Sequence, residues 1–122
     1  MKWWAHELCS LLVVLALLRD PLQAPLAAAG AVLPDVVERV VGARHRAMHE
    51  LALYVALVAL SAPAGLLALS LAALDHVLTD ALTVRGVTAF GWRLRGPLST
   101  ENTVHNLLAV ALHYAVAALL AP

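Results

Sequence analysis

"LALYVALVALSAPAGLLALSLAAL" (Leu51–Leu74) is apolar almost throughout, and its helix breakers are gathered in "SAPAG" at 61–65. As one straight helix it would carry His49, just before it, and His76, just after it, some ~40 Å apart. As two helices folded back at "SAPAG", it would return both histidines to the same end. Pro63 lacks an amide proton and Gly65 readily takes a positive φ, so the turn is expected. The rest of the fold follows from that choice.

Three further apolar stretches, Leu8–Leu18, Leu22–Leu33 and Val104–Ala121, join Leu51–Ala62 and Leu66–Leu74. Between them lie "RDP", "PDVVERVVGARHR" and a long polar segment from Thr79 to Asn102. The apolar residues form no stripe and cover the expected helices all round, as in helices sunk in lipid or in a large core. A chain of 122 residues, 62% hydrophobic and 13% charged, is too small and too greasy for the second case. The expected fold is all-α: one domain over 1–122, a compact membrane-embedded bundle of about five short antiparallel helices. Only the last stretch nears the ~20 residues of a full span, so the others need flanking residues or local bilayer thinning to cross.

Zero net charge gives no field for nucleic acid. Cys9 is the only cysteine, which excludes an internal disulfide and a thiolate metal cluster. Lys2, the run to Leu18 and Ala24 loosely fit a cleaved signal peptide, but the remaining chain is just as hydrophobic, so retention is expected.

An up-and-down arrangement brings the N-terminus, the 34–50 connection and the 79–102 connection to one end. Seven of the eight basic residues fall there, Arg19 alone at the other, so that end is expected to face the cytoplasm at a cell membrane. Trp3, Trp4 and Trp92 read as interfacial anchors. His6, Asp35, His45, His49, His76 and Asp80 share the same end, with Asn102, His105 and Asn106 opening the last helix and only His113 deep within it.

Histidine with carboxylate suits a divalent metal, zinc ahead of manganese or iron. His45 with His49, and His76 with Asp80, are each four residues apart and on a helix would face one way. Any one such pair is more often a plain helix-end hydrogen bond. Convergence of several on one face of a membrane protein points to a site, because ionisable groups are costly there. Arg93 and Arg95 either set topology or bind an anionic substrate or lipid phosphate.

In order, "AHELCS", "LPD", "HRAMHEL" and "HVLTDALTVRGV" resemble the motifs of the YdjM-like family of membrane-bound metal-dependent hydrolases. The resemblance covers about residues 5 to 92 and implies His6, Asp35, His49, His76 and Asp80 as metal ligands. The chain departs from the family pattern in two places. Val37 stands where a second acid is usual, with Glu38 following, and His45 and His49 are four rather than five apart.

The expected function is metal-dependent hydrolysis of a phosphoester, a lipid included, with Glu38 or Glu50 as general base and membrane lipid as partner. The alternative is a metal-binding or scaffolding membrane protein with the same ligands and no catalysis. A haem protein or a transporter would need polar groups near the bilayer midplane, where the sequence offers only His113 and Tyr114.

Overall fold

The computed structural model describes residues 1–42 and 48–121. Among these, helix α1 covers Trp3–Leu18, α2 Ala24–Val41, α3 Leu51–Ser61, α4 Leu67–Ala81 and α5 Thr103–Leu120. The "SAPAG" turn is present: α3 ends at Ser61, a short 3-10 turn covers Ala62–Ala64, and Gly65 in the left-handed region (φ 73°) reverses the chain. The Ser61 hydroxyl donates to Ser70 Oγ at 2.6 Å, and Tyr54 packs with Ala73 and Val77, so α3 and α4 run antiparallel.

The helices extend further than the apolar runs. α2 continues through Pro34 and past Asp35 to Val41, and α4 carries His76 and Asp80 within its last two turns. Polar residues at the site end are helical because their side chains turn inward, where an apolar count does not register them. The bundle is mostly helical, as expected, and one element is added to it by the connection from 82 to 102. It holds an antiparallel hairpin, β1 (Val87–Ala89) with β2 (Trp92–Leu94), register Thr88 to Arg93.

α4 is the central element, packed against α1, α2 and α3, while α5 packs mainly along α1. Small residues govern the closest contact. Ala27, Gly30 and Ala31 of α2 face Ala68, Leu69 and Ala72 of α4, and a Cβ added to Gly30 would overlap the Leu69 carbonyl. The backbones can approach so closely only because no side chain stands between them.

Polar side chains share the interior with small apolar ones, and large apolar side chains lie outside. Buried side chains include His6, Ser10, His49, His76, Thr79, Asp80, Thr83 and Asn106, whereas Leu8, Leu17, Leu53, Leu60, Leu108 and Leu119 are exposed. Among the described residues α5 is the one helix long and apolar enough to cross a membrane; α1 and the segment Leu51–Ala64 are apolar but shorter.

The α2–α4 contact makes a specific demand at residue 30. Gly30→Val should lower unfolding stability by about 1–3 kcal/mol through overpacking, whereas Val at the exposed Ala29 should change it by less than about 0.5 kcal/mol. Thermal unfolding in detergent measures both, and equal effects would contradict the close approach.

Candidate metal centre

His76 and Asp80 stand one turn apart on the inward face of α4, both buried. The close approach of α2 puts the Ala31 carbonyl against the His76 ring, which donates to it through Nδ1. A carbonyl only accepts, so the proton sits on Nδ1 and the Nε2 lone pair is left free to bind. That Nε2 is buried, makes no hydrogen bond to the protein, and lies 3.6 Å from Asp80 Oδ2 and 3.7 Å from Asp35 Oδ1.

His49 arrives from the segment just before α3. Its backbone carbonyl accepts the Thr88 amide of β1 at 3.1 Å, and the Tyr54 hydroxyl bonds the neighbouring Met48 carbonyl at 2.8 Å, so hairpin and helix together fix it. His49 Nε2 is 3.4 Å from Asp80 Oδ2 and 3.6 Å from Asp35 Oδ1. On the far side of the ring, Glu38 Oε2 is 3.4 Å from Nδ1.

The four atoms His49 Nε2, His76 Nε2, Asp35 Oδ1 and Asp80 Oδ2 are thus joined by imidazole–carboxylate separations of 3.4 to 3.7 Å. These are long for hydrogen bonds. They are near the spacing of about 3.3–3.6 Å between neighbouring ligands of a four-coordinate ion with metal bonds of about 2.0–2.2 Å. Asp35, His49 and His76 form one group able to hold a metal ion, and His6, His76 and Asp80 form another.

His6 stacks on His76 with ring centroids 3.7 Å apart and planes 13° from parallel. Its Nε2 lies 3.3 Å from Asp80 Oδ1, the oxygen turned away from His49, and the Met1 amino group lies 2.8 Å from that same oxygen. Asp80 therefore faces two ways. The cluster lies at the end of the bundle where α1 begins: Lys2 N donates to Asn106 Oδ1 there, and the Met1 amino group reaches Asp80.

The two expected general bases stand in different places. Glu38 is beside His49 Nδ1, an orienting position for a ligand histidine. Glu50 lies at the hairpin: the Phe90 amide donates to its Oε1 at 2.7 Å, at a residue held in the left-handed region (φ 51°). Hydrogen bonds from Thr88 and Phe90 keep its carboxyl below the usual range, which makes it a weaker base. Its role is to brace the hairpin.

Arg93 and Arg95 are exposed, and Arg93 donates to the Arg85 carbonyl at 2.8 Å. Since β1 lies between β2 and the Glu50 bridge, Arg93 is two strand spacings, ~10 Å, from the His49 segment. His45 lies outside the described residues. Asn102 caps α5, His105 Nδ1 accepts the Ser99 amide, and Asn106 fastens Lys2, so these three serve the scaffold.

A second polar group was not expected from the sequence, which showed His113 alone. His113 Nε2 is 3.3 Å from Asp75 Oδ1 and 3.1 Å from Thr79 Oγ1, and the Ser10 hydroxyl donates to Asp75 Oδ2 at 2.9 Å. His113, deep in the last apolar stretch, was the signal for it in the sequence; Asp75, just past the run Leu66–Leu74, and Ser10 were not singled out.

No family model matches the chain, and neither does any curated protein or solved structure.

The positions of the two glutamates predict opposite outcomes. Glu38→Gln should weaken zinc affinity about 10–100-fold by loosening His49, and Glu50→Gln should leave it unchanged. Competition against a chromogenic chelator reads both, and equal losses would contradict these roles.

Proposed function

We propose that the chain is a membrane-embedded metal-dependent hydrolase whose ion is held by Asp35, His49, His76 and Asp80, with zinc favoured. The observation that carries it is the meeting of two Nε2 atoms and two carboxylate oxygens at separations of 3.4 to 3.7 Å, with each ring's Nδ1 against an acceptor behind it. The donor set fits a divalent ion in charge as well, because two ionised carboxylates with neutral imidazoles leave a surplus of negative charge that the Met1 amino group beside Asp80 offsets only in part. Multi-pass membrane residence is supported by the polar interior and the leucine-rich exterior, and the cytoplasmic orientation by the crowding of basic residues at the site end. The motif resemblance to the YdjM-like family supports the same ligands.

When bound, a divalent ion would supply an acidified water and a Lewis acid for the bond under attack. The protein's part is to orient and to exclude. Ala31 and Glu38 fix the two imidazoles, the hairpin covers His49, and the partly exposed Asp35 marks the side open to substrate. A phosphoester of a membrane lipid is the substrate class favoured, with Arg93 and Arg95 at the distance of a headgroup rather than of the reacting phosphorus.

One observation favours the non-catalytic alternative: four protein donors would close a tetrahedron, as structural zinc sites do. Turnover decides between them. The zinc-loaded protein should hydrolyse a chromogenic phosphodiester, lose activity to a chelator, and lose both metal and activity in Asp80→Asn. Because the rings bind only when neutral and the carboxylates only when ionised, metal should be retained at neutral pH and lost on acidification as these groups take protons. Bound metal without turnover would leave the structural role; absence of bound metal would overturn both.

A further inference from the structure

A groove of about 410 Å³ opens between α4 and α5, where α5 lies along α1 and leaves α4 uncovered. Val13 of α1 forms part of its lining, with Leu78 and Leu82 of α4 and Leu112 and Val116 of α5. Its size falls within the ~300–1,000 Å³ of small-molecule sites. The lining is apolar except for Asp75, Thr79 and His113, the second polar group of the bundle. We infer that this groove binds one acyl chain of a membrane glycerolipid, with the chain's ester carbonyl at the Thr79–His113 pair.

Two observations choose this occupant. Leu78, Leu112 and Val116 belong to the exposed apolar surface that includes Leu108 and Leu119, so whatever enters comes from hydrocarbon. An ionisable pair opening onto hydrocarbon is costly unless the occupant brings a polar group to meet it. A saturated hydrocarbon does not; an ester oxygen can accept from the Thr79 hydroxyl, the imidazole being engaged through Nδ1 with the Ala109 carbonyl and through Nε2 with Asp75. Asp75 and Thr79 are also the immediate neighbours along α4 of His76 and of Asp80. A lipid held by its chain on this face of α4 would have its headgroup end beside the candidate metal centre, on the adjoining face. The inference rests on the proposed membrane residence and gives the lipid substrate a seat.

The test uses the full chain in phosphatidylglycerol vesicles containing a glycerolipid with a photoactivatable diazirine in one acyl chain, and maps crosslinks by mass spectrometry. Crosslinks should concentrate on Leu78, Leu82, Leu112 and Val116. They should fall about tenfold in Val116→Trp and in Leu112→Trp, each of which fills the groove from an exposed position. Zinc content should be unchanged in both variants. Crosslinks spread evenly to Leu108 and Leu119 and unaltered by either tryptophan would overturn the groove while leaving membrane residence intact. Conversion of a dimer to a monomer by Val116→Trp at constant labelling would assign the groove to a second copy and overturn the lipid. Failure of the parent to incorporate into vesicles would overturn membrane residence, and the groove proposal with it.

Discussion

The hydrogen bond from His76 Nδ1 to the Ala31 carbonyl joins the fold to the site. It can form because Gly30 lets the α2 backbone lie against Leu69 and Ala72 of α4. A bulkier residue at 30 would push the helices apart, free the imidazole to rotate, and carry Asp35, one turn beyond Ala31, away from His49 and His76. Ring orientation, tautomer and the placing of one carboxylate therefore depend on a single close crossing. The charge on a metal would strengthen this arrangement, since the imidazole's bound proton is held by an acceptor behind it.

Electrostatics then sets what the cluster requires. Asp80 is almost fully buried and Asp35 partly so, and buried carboxylates are costly unless paired. Asp80 has one cation beside it, the Met1 amino group 2.8 Å from Oδ1, while the groups facing its other oxygen and Asp35 are histidines that can be neutral. The remaining negative charge is met if the histidines take protons or a cation enters. Stacking of His6 on His76 at 3.7 Å disfavours charging both rings, which leaves a divalent ion as the better partner.

Much of this was legible in the sequence because it depends on spacing. The breakers in "SAPAG" returned His49 to His76, and the four-residue step from His76 to Asp80 put both on one face. The hairpin was not legible: β1 and β2 have three residues each, too few for alternation to register, and Glu50 supports Phe90 across 40 residues of sequence. Glu38 and Glu50 could not be told apart as isolated acids, since what separates them is which partner lies behind. The Asp75–His113 pair was hidden for a similar reason. Its members come from helices that meet only around the groove, and His113 read as a lone polar residue in a span.

Zinc-edge X-ray absorption of the purified, zinc-loaded protein tests the centre most directly, because it reads the ligand atoms themselves. The expected spectrum has nitrogen and oxygen neighbours at about 2.0–2.2 Å with the outer-shell scattering of two imidazoles, and His76→Ala loses one imidazole or the metal altogether. A spectrum without imidazole scattering, one with sulfur from Cys9, or one unaltered by His76→Ala would contradict the assignment.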